Sequence, residues 1–328
     1  MNRRRCALAA LGSAVLLVPG FVRAQPSGAM RRIGMLFPGK SDLVMPLVDA
    51  LRGGLRDLGW IEGRNLVSDL RLAEFDFKRI DAMASELLAL KPEVMVAGTS
   101  LVARTVQRAA PGLPIVVGVS EDPVGDGLVA SLARPGGTIT GLSTMGAELV
   151  PKRLQLLREF LFKGARVAVL TDPATSFNAR AIEEVRRSAP RIGVELVIFN
   201  ASKEAEIAPA LARLSRDKIA GLLVMSNLLN TAQRQQIVAG AGAAQIPAIY
   251  AADIWADIGG LLAYGINYRV HWRRVAPYID KILKGAKPAD LPVEQPTTFE
   301  LVVNLKSAKA QGIKVPHAIL VRADRVIE

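Results

Sequence analysis

From Arg31 onward, short runs of β-branched and aliphatic residues alternate with longer amphipathic runs, and the whole alternation occurs twice. Apolar strands of this kind must be covered on both faces, a demand met by a parallel sheet between two helical layers. The first strand reads as Ile33 to Phe37. Leu43, Leu47, Leu51, Leu55 and Leu58 then recur at spacings of four and three, one apolar helix face that Gly59 closes. Strands are predicted at Leu66–Leu72, Val94–Ala97 and Ile115–Val117. A second set follows the run Thr138–Leu142: Val150, Leu154, Leu157 and Leu161 line a helix, and strands are expected at Val167–Leu170, Val194–Ile198, Gly221–Met225 and Ala248–Tyr250. One long helix carried by Val275, Ile279 and Ile282 and stopped by Gly285 comes next, then a strand at Phe299–Val303 and a Lys-Arg-Asp-rich tail. The expected fold is α/β, two similar doubly wound parallel-sheet lobes. No Gly/Ser-rich linker intervenes, so short crossings must join the lobes and act as a hinge.

The first 24 residues read as a cleaved export signal. Arg3, Arg4 and Arg5 precede an apolar stretch from Cys6 to Val18, followed by Pro19-Gly20 and by Val22 and Ala24 at cleavage-site spacing, which places the mature start near Gln25. The apolar stretch is shorter than the ~20 residues that span a bilayer. Of the net charge of +12, four units come from Arg3, Arg4, Arg5 and Arg23, leaving +8 beyond them. These charges are scattered, with pairs such as Arg186-Arg187 and Arg273-Arg274 as the longest clusters, and form no stripe of the kind nucleic acid requires.

Two nucleotide motifs fail on physical grounds. Gly34 through Ser41 satisfies G-x-x-x-x-G-K-S, yet Met35, Leu36 and Phe37 are needed as strand core and Pro38 lacks an amide for phosphate. Gly125 through Ala130 fits G-x-G-x-x-A, but the preceding strand ends too early and no acid lies at a following strand end; the segment reads instead as a helix start that tolerates glycine. Hydrolase and metal chemistry find no support. There is no G-x-S-x-G, the single cysteine is Cys6, and the only histidines, His271 and His317, lack a second ligand at metal spacing. No cofactor is expected, and His271 is expected at the surface near a helix start.

What remains is a set of polar loops where the strands end. Open α/β sheets bind ligands at the carboxyl ends of their strands. In the first lobe these loops offer Ser41, Thr99, Ser100, Ser120 and Asp122; in the second, Asp172, Thr175, Ser176, Asn178, Asn227 and Asp253. Most precede a helix, so the same residues serve as ordinary N-caps or as ligand contacts beside the first-turn amides.

Several long blocks carry a resemblance. They are Leu58-Gly59-Trp60-Ile61-Glu62-Gly63-Arg64-Asn65-Leu66, Asp122-Pro123-Val124-Gly125, the run Leu132 to Ser143 (LARPGGTITGLS), Lys152-Arg153-Leu154-Gln155-Leu156-Leu157, Lys281 to Pro288 (KILKGAKP) and Phe299 to Lys306 (FELVVNLK). By these the chain resembles the ABC-transporter substrate-binding proteins related to bacterial tryptophan-binding proteins. The resemblance implies the type I periplasmic-binding fold, with lobes over 25–143 plus about 266–293 and 144–265 plus about 294–328. It also implies a monomer in the periplasm that clamps a small amino-acid-like or carboxylate solute and delivers it to ABC permease and ATPase subunits. By similarity Thr99, Ser100, Ser120 and Asp122 match first-lobe binding loops, and Ser176, Asn178 and Asn227 match second-lobe ones. Tryptophan binders carry an acid near the position of Asn227, suited to an α-ammonium group; this chain carries an amide. Trp60 lies in a helix-to-strand turn and is expected to pack. Two alternatives use the same fold: a sensory subunit presenting its closed form to a membrane kinase or receptor, and an exported enzyme using Asp122 and Asp253.

Overall fold

The computed structural model describes residues 30–173 and 175–328. The expected export signal, 1–24, lies outside the described residues. The chain begins as β1 (Arg31–Phe37), α1 (Ser41–Asp57), β2 (Leu66–Leu72), α2 (Ile80–Ala89), β3 (Val94–Ala97), α3 (Ser100–Ala109), β4 (Ile115–Ser120) and β5 (Ile139–Ser143). These strands form one parallel sheet in the order β2-β1-β3-β4-β5. The chain then crosses into α4 (Gly146–Arg158), β6 (Ala165–Thr171), α5 (Ser176–Ile192), β7 (Val194–Asn200), α6 (Glu204–Arg216), β8 (Gly221–Val224), α7 (Leu228–Ala232), α8 (Arg234–Ala243), β9 (Ala248–Tyr250), α9 (Asp253–Asp257) and β10 (Leu262–Gly265). It returns to the first lobe for α10 (Tyr268–Arg273) and α11 (Ala276–Leu283), and crosses a third time into β11 (Glu300–Asn304), α12 (Leu305–Ala310), α13 (His317–Arg322) and β12 (Arg325–Ile327). The second sheet is ordered β12-β11-β10-β9-β8-β6-β7, with β11 antiparallel to β10 and the other pairs parallel.

The strands are where hydrophobic continuity puts them. Ile33, Met35, Leu36 and Phe37 are buried in β1, so the phosphate-loop pattern is spent on strand core, and Lys40 is an exposed residue before α1. Around β1 the first-lobe core gathers Val48, Leu51 and Leu55 of α1 with Trp272, Val275 and Ile279. Gly118 in β4 admits that packing, because a Cβ there would stand 2.2 Å from the Trp272 ring. Trp60 packs against the same core and donates its indole N–H to Asp280 at 2.9 Å.

Four expectations need correction. The single long helix is two, α10 and α11, because Pro277 at the start of α11 cannot continue the hydrogen-bond ladder of α10. The Gly125–Ala130 segment starts no helix. It is a turn, in which the Asp122 carboxylate accepts from the Gly125 amide at 2.7 Å and Gly127 takes φ +69°. His271 is buried, its Nε2–H donating to the Gly118 carbonyl at 2.8 Å; the adjacent Trp272 carries it inward as α10 packs on α1 and β4. The basic tail is not a tail, since α12 and α13 lead back to β12, which pairs with β11.

Candidate functional site

The loops at the carboxyl ends of both sheets converge on a cleft of about 480 Å³. Its walls are mostly apolar: Phe37, Leu43, Val44, Leu47, Phe75, Phe77, Val119, Tyr268 and Trp272 from the first lobe, and Phe177, Leu228, Leu229 and Ile254 from the second. Into these walls are set Thr99, Ser100, Glu121 and Asp126 on one side and Asp172, Thr175, Ser202, Ser226, Asn227 and Thr231 on the other. Every charged side chain among these described residues is acidic; no lysine or arginine lines the cleft.

Five residues selected from the sequence meet at this cleft: Thr99, Ser100, Asp172, Thr175 and Asn227. Thr99 and Thr175 are the N-caps of α3 and α5, neither with a side-chain capping bond, so their hydroxyls are not committed to the helices. The Thr99 hydroxyl and the Asn227 amide nitrogen are buried with no hydrogen-bond partner among the described residues. Asn227 uses its other end to cap α7, its Oδ1 accepting from the Asn230 amide at 2.7 Å. Asp172 accepts from the Ser202 hydroxyl at 2.6 Å.

Five others do not line the cleft. Ser41 is exposed at the start of α1. Ser120 is buried one layer behind, sharing a 2.9 Å hydrogen bond with Ser100. Asp122 faces Arg180 of α5 at 2.6 Å. Asn178 is buried and donates to the Asp172 carbonyl at 3.2 Å, supporting the loop rather than reaching past it. Asp253 sits behind Ile254, its carboxyl held above the usual range by burial and by the nearby Asp257. Ser176 opens α5.

The centre of the site is a residue the sequence did not single out. Glu121, from the loop after β4, receives the Ser226 hydroxyl of the second lobe on Oε1 at 2.6 Å and the Thr144 hydroxyl of the first crossing on Oε2 at 2.8 Å. Burial pushes its carboxyl up, against the pull of these two hydroxyls and of Arg153. Arg153 of α4 is buried too, donating to the carbonyls of Tyr264 at 2.8 Å and Ala251 at 3.4 Å, and burial depresses its pKa. Gly146 leaves room for this arrangement, because a Cβ there would come within 1.7 Å of Glu121 Oε2. The loop Ser120-Glu121-Asp122-Pro123 was visible as polar, but Ser226 lies 105 residues away and no local pattern links the two.

Relatives share this fold over most of the chain. A protein of Vibrio cholerae described as a conserved domain protein superposes with a TM-score of 0.84 at 26% identity, covering 90% of this chain and 99% of that one. An ABC domain from Streptococcus pneumonia in complex with L-Trp superposes with a TM-score of 0.83 at 24% identity, covering 91% and 100%. A tyrosine-binding protein of Clostridioides difficile (strain R20291) is 26% identical over 269 residues, 81% of this chain and 77% of the relative. The fold is therefore the type I periplasmic-binding fold, and the family model described as ABC transporter substrate binding protein matches residues 37–327. A match over nearly the whole described chain, on two lobes whose strand ends meet at one cleft, places this protein in the ABC transporter substrate-binding protein family.

Proposed function

We propose that the chain is the solute-capturing component of an ABC importer, exported by its first 24 residues, and that its solute is an amino acid with an aromatic or aliphatic side chain. The observation that carries this reading is the composition of the cleft. Apolar walls from both lobes suit an uncharged side chain, and the volume falls in the ~300–1,000 Å³ range of small-molecule sites. Three acids in the lining, Glu121, Asp126 and Asp172, suit an α-ammonium and stand in for the acid missing at Asn227. The first-turn amides of α3 and α5, beside Thr99 and Thr175, suit an α-carboxylate. The tyrosine-binding and L-Trp-bound relatives point the same way. Thr99, Ser100, Asp172, Thr175, Ser226 and Asn227 are the proposed solute contacts, Ser120 and Asn178 support them from behind, and the lobes divide as the resemblance implies.

A thermal-shift screen of the natural amino acids, followed by calorimetric titration, tests this. A solute at 100 times its Kd stabilises the protein by ~2.7 kcal/mol, and aromatic amino acids should give the largest upward shift in Tm. The solute should be recovered chemically unchanged after incubation. Absence of a shift with every amino acid at millimolar concentration, or turnover of the bound compound, would overturn the reading.

A further inference from the structure

Two ion pairs span the lobes without lining the cleft. Asp42, in the first turn of α1, faces Arg234 at the start of α8 with Oδ2 to Nη2 at 2.8 Å. Asp122, after β4, faces Arg180 of α5 at 2.6 Å, and Arg180 also donates to the Gly125 carbonyl at 3.4 Å and lies 3.9 Å from the carboxylate of Asp126, which lines the cleft. The acids belong to the first lobe and the arginines to the second. In the first sheet β1 and β4 flank β3, so the two pairs stand on either side of the loop that brings Thr99 and Ser100 to the cleft. Each pair is also tied to the lining: Asp42 precedes Leu43 and Val44, Arg234 donates to the Thr231 carbonyl at 3.3 Å, and Arg180 follows Phe177 by one helical turn.

We infer that these pairs are closure latches, which set the balance between open and closed lobes and thereby the apparent affinity for solute, without touching the solute. The inference rests on the reading of the cleft as a solute site. Parting the lobes would break both contacts, so their free energy counts only in the closed state. Where the closed state is a minority without solute, any factor lost from the closing equilibrium appears as the same factor in apparent Kd. The Asp42–Arg234 pair should dominate. The Arg234 side chain is only 7% exposed, whereas Arg180 is 42% exposed and screened by water. Removing Asp42 leaves a buried guanidinium without its carboxylate, a worse condition than removing both partners.

The first arm of the test needs no solute. Lys78→Cys and Glu204→Cys, in a Cys6→Ser background, place dyes on exposed residues near Phe77 and Ser202 at the cleft. Single-molecule energy transfer then reads the closed fraction. Asp42→Ala and Arg234→Ala should each lower it, and 0.5 M salt should lower it in the parent more than in the double variant. The second arm titrates the tightest amino acid from the screen. Apparent Kd should rise about 3–10-fold for Asp42→Ala and less than about 3-fold for Asp122→Ala. The Asp42→Ala/Arg234→Ala double variant should fall short of the product of the single effects. Should an alanine variant fail to fold, Asp42→Asn and Arg234→Gln remove charge while keeping shape. Unchanged closed fractions in all variants, or a double effect equal to the product of the singles, would overturn the latch. Failure of the amino-acid screen would strike the solute reading alone, since the first arm proceeds without it.

Discussion

The two lobes are built alike but are charged differently where they meet. The first presents acids to the interface, Asp42, Glu121, Asp122 and Asp126; the second presents Arg180 and Arg234 there beside one acid, Asp172, with Arg153 near Glu121 and Ser226 bonded to it. The sheets set the scaffold and would serve many ligands. The polarity between lobes is what makes their meeting specific, because like-charged faces would resist closure. The lobes also differ in their cores. Both cores place an aromatic that also walls the cleft, Trp272 in the first and Phe177 in the second, but Trp272 is inserted by a segment made after the second lobe's first five strands.

The strongest way to break the comparison is therefore at Trp272. Trp272→Ala should cost about 3–5 kcal/mol. In scanning calorimetry it should separate a low-temperature transition of the first lobe from a little-altered transition of the second. A single cooperative transition shifted as a whole would mean that the lobes share one folding unit.

Acid should also strike the first lobe first. Burial holds His271 to about 4, below the ~6.5 of an unfolded chain. Between those values the unfolded chain binds the extra proton, so stability is full above pH 6.5 and falls as pH drops toward 4. Glu121 works in the opposite sense: its carboxyl is raised, so protons favour the folded form, and that contribution fades as pH rises through the raised value. The histidine effect should amount to about 2–3 kcal/mol between pH 7 and 4, read from urea midpoints. His271→Asn should flatten that slope.

The smallest effect is expected at Lys40. Lys40→Ala should change stability by less than about 0.5 kcal/mol, leave solute affinity unaltered and reveal no ATP binding in either form by calorimetry.

The sequence made the strand-and-helix alternation legible because parallel strands are apolar along their whole length; β2, β3 and β9 lie where they were predicted. It hid β10 and β12, which are four and three residues long and carry glycine or charge in place of a continuous apolar run. At the cleft, Thr99, Ser100, Thr175 and Asn227 were recognisable as polar residues at helix starts. Whether such a residue faces the cleft, as Thr99 does, or hides behind it, as Asn178 does, depends on helix rotation and loop path. Glu121, within a loop that reads as polar, and Arg153, within a block that carries the resemblance, were not selected as site residues because a buried charge looks like any surface charge until its distant partners, Ser226 and the Tyr264 carbonyl, are brought to it.

The threefold crossing between lobes also orders events in time. The core of the first lobe is incomplete until Trp272, Val275 and Ile279 of the returning segment have been synthesised. At ~5–20 residues per second, the stretch from β5 to α11 takes on the order of ten to thirty seconds to make. During that interval β1 to β5 expose the apolar face that α10 and α11 will cover, while α4 to β9 are still emerging. The N-terminal part of this chain must therefore wait for the later part before it can finish folding, which leaves a window in which the nascent protein is still pliable enough to be threaded or held by a chaperone.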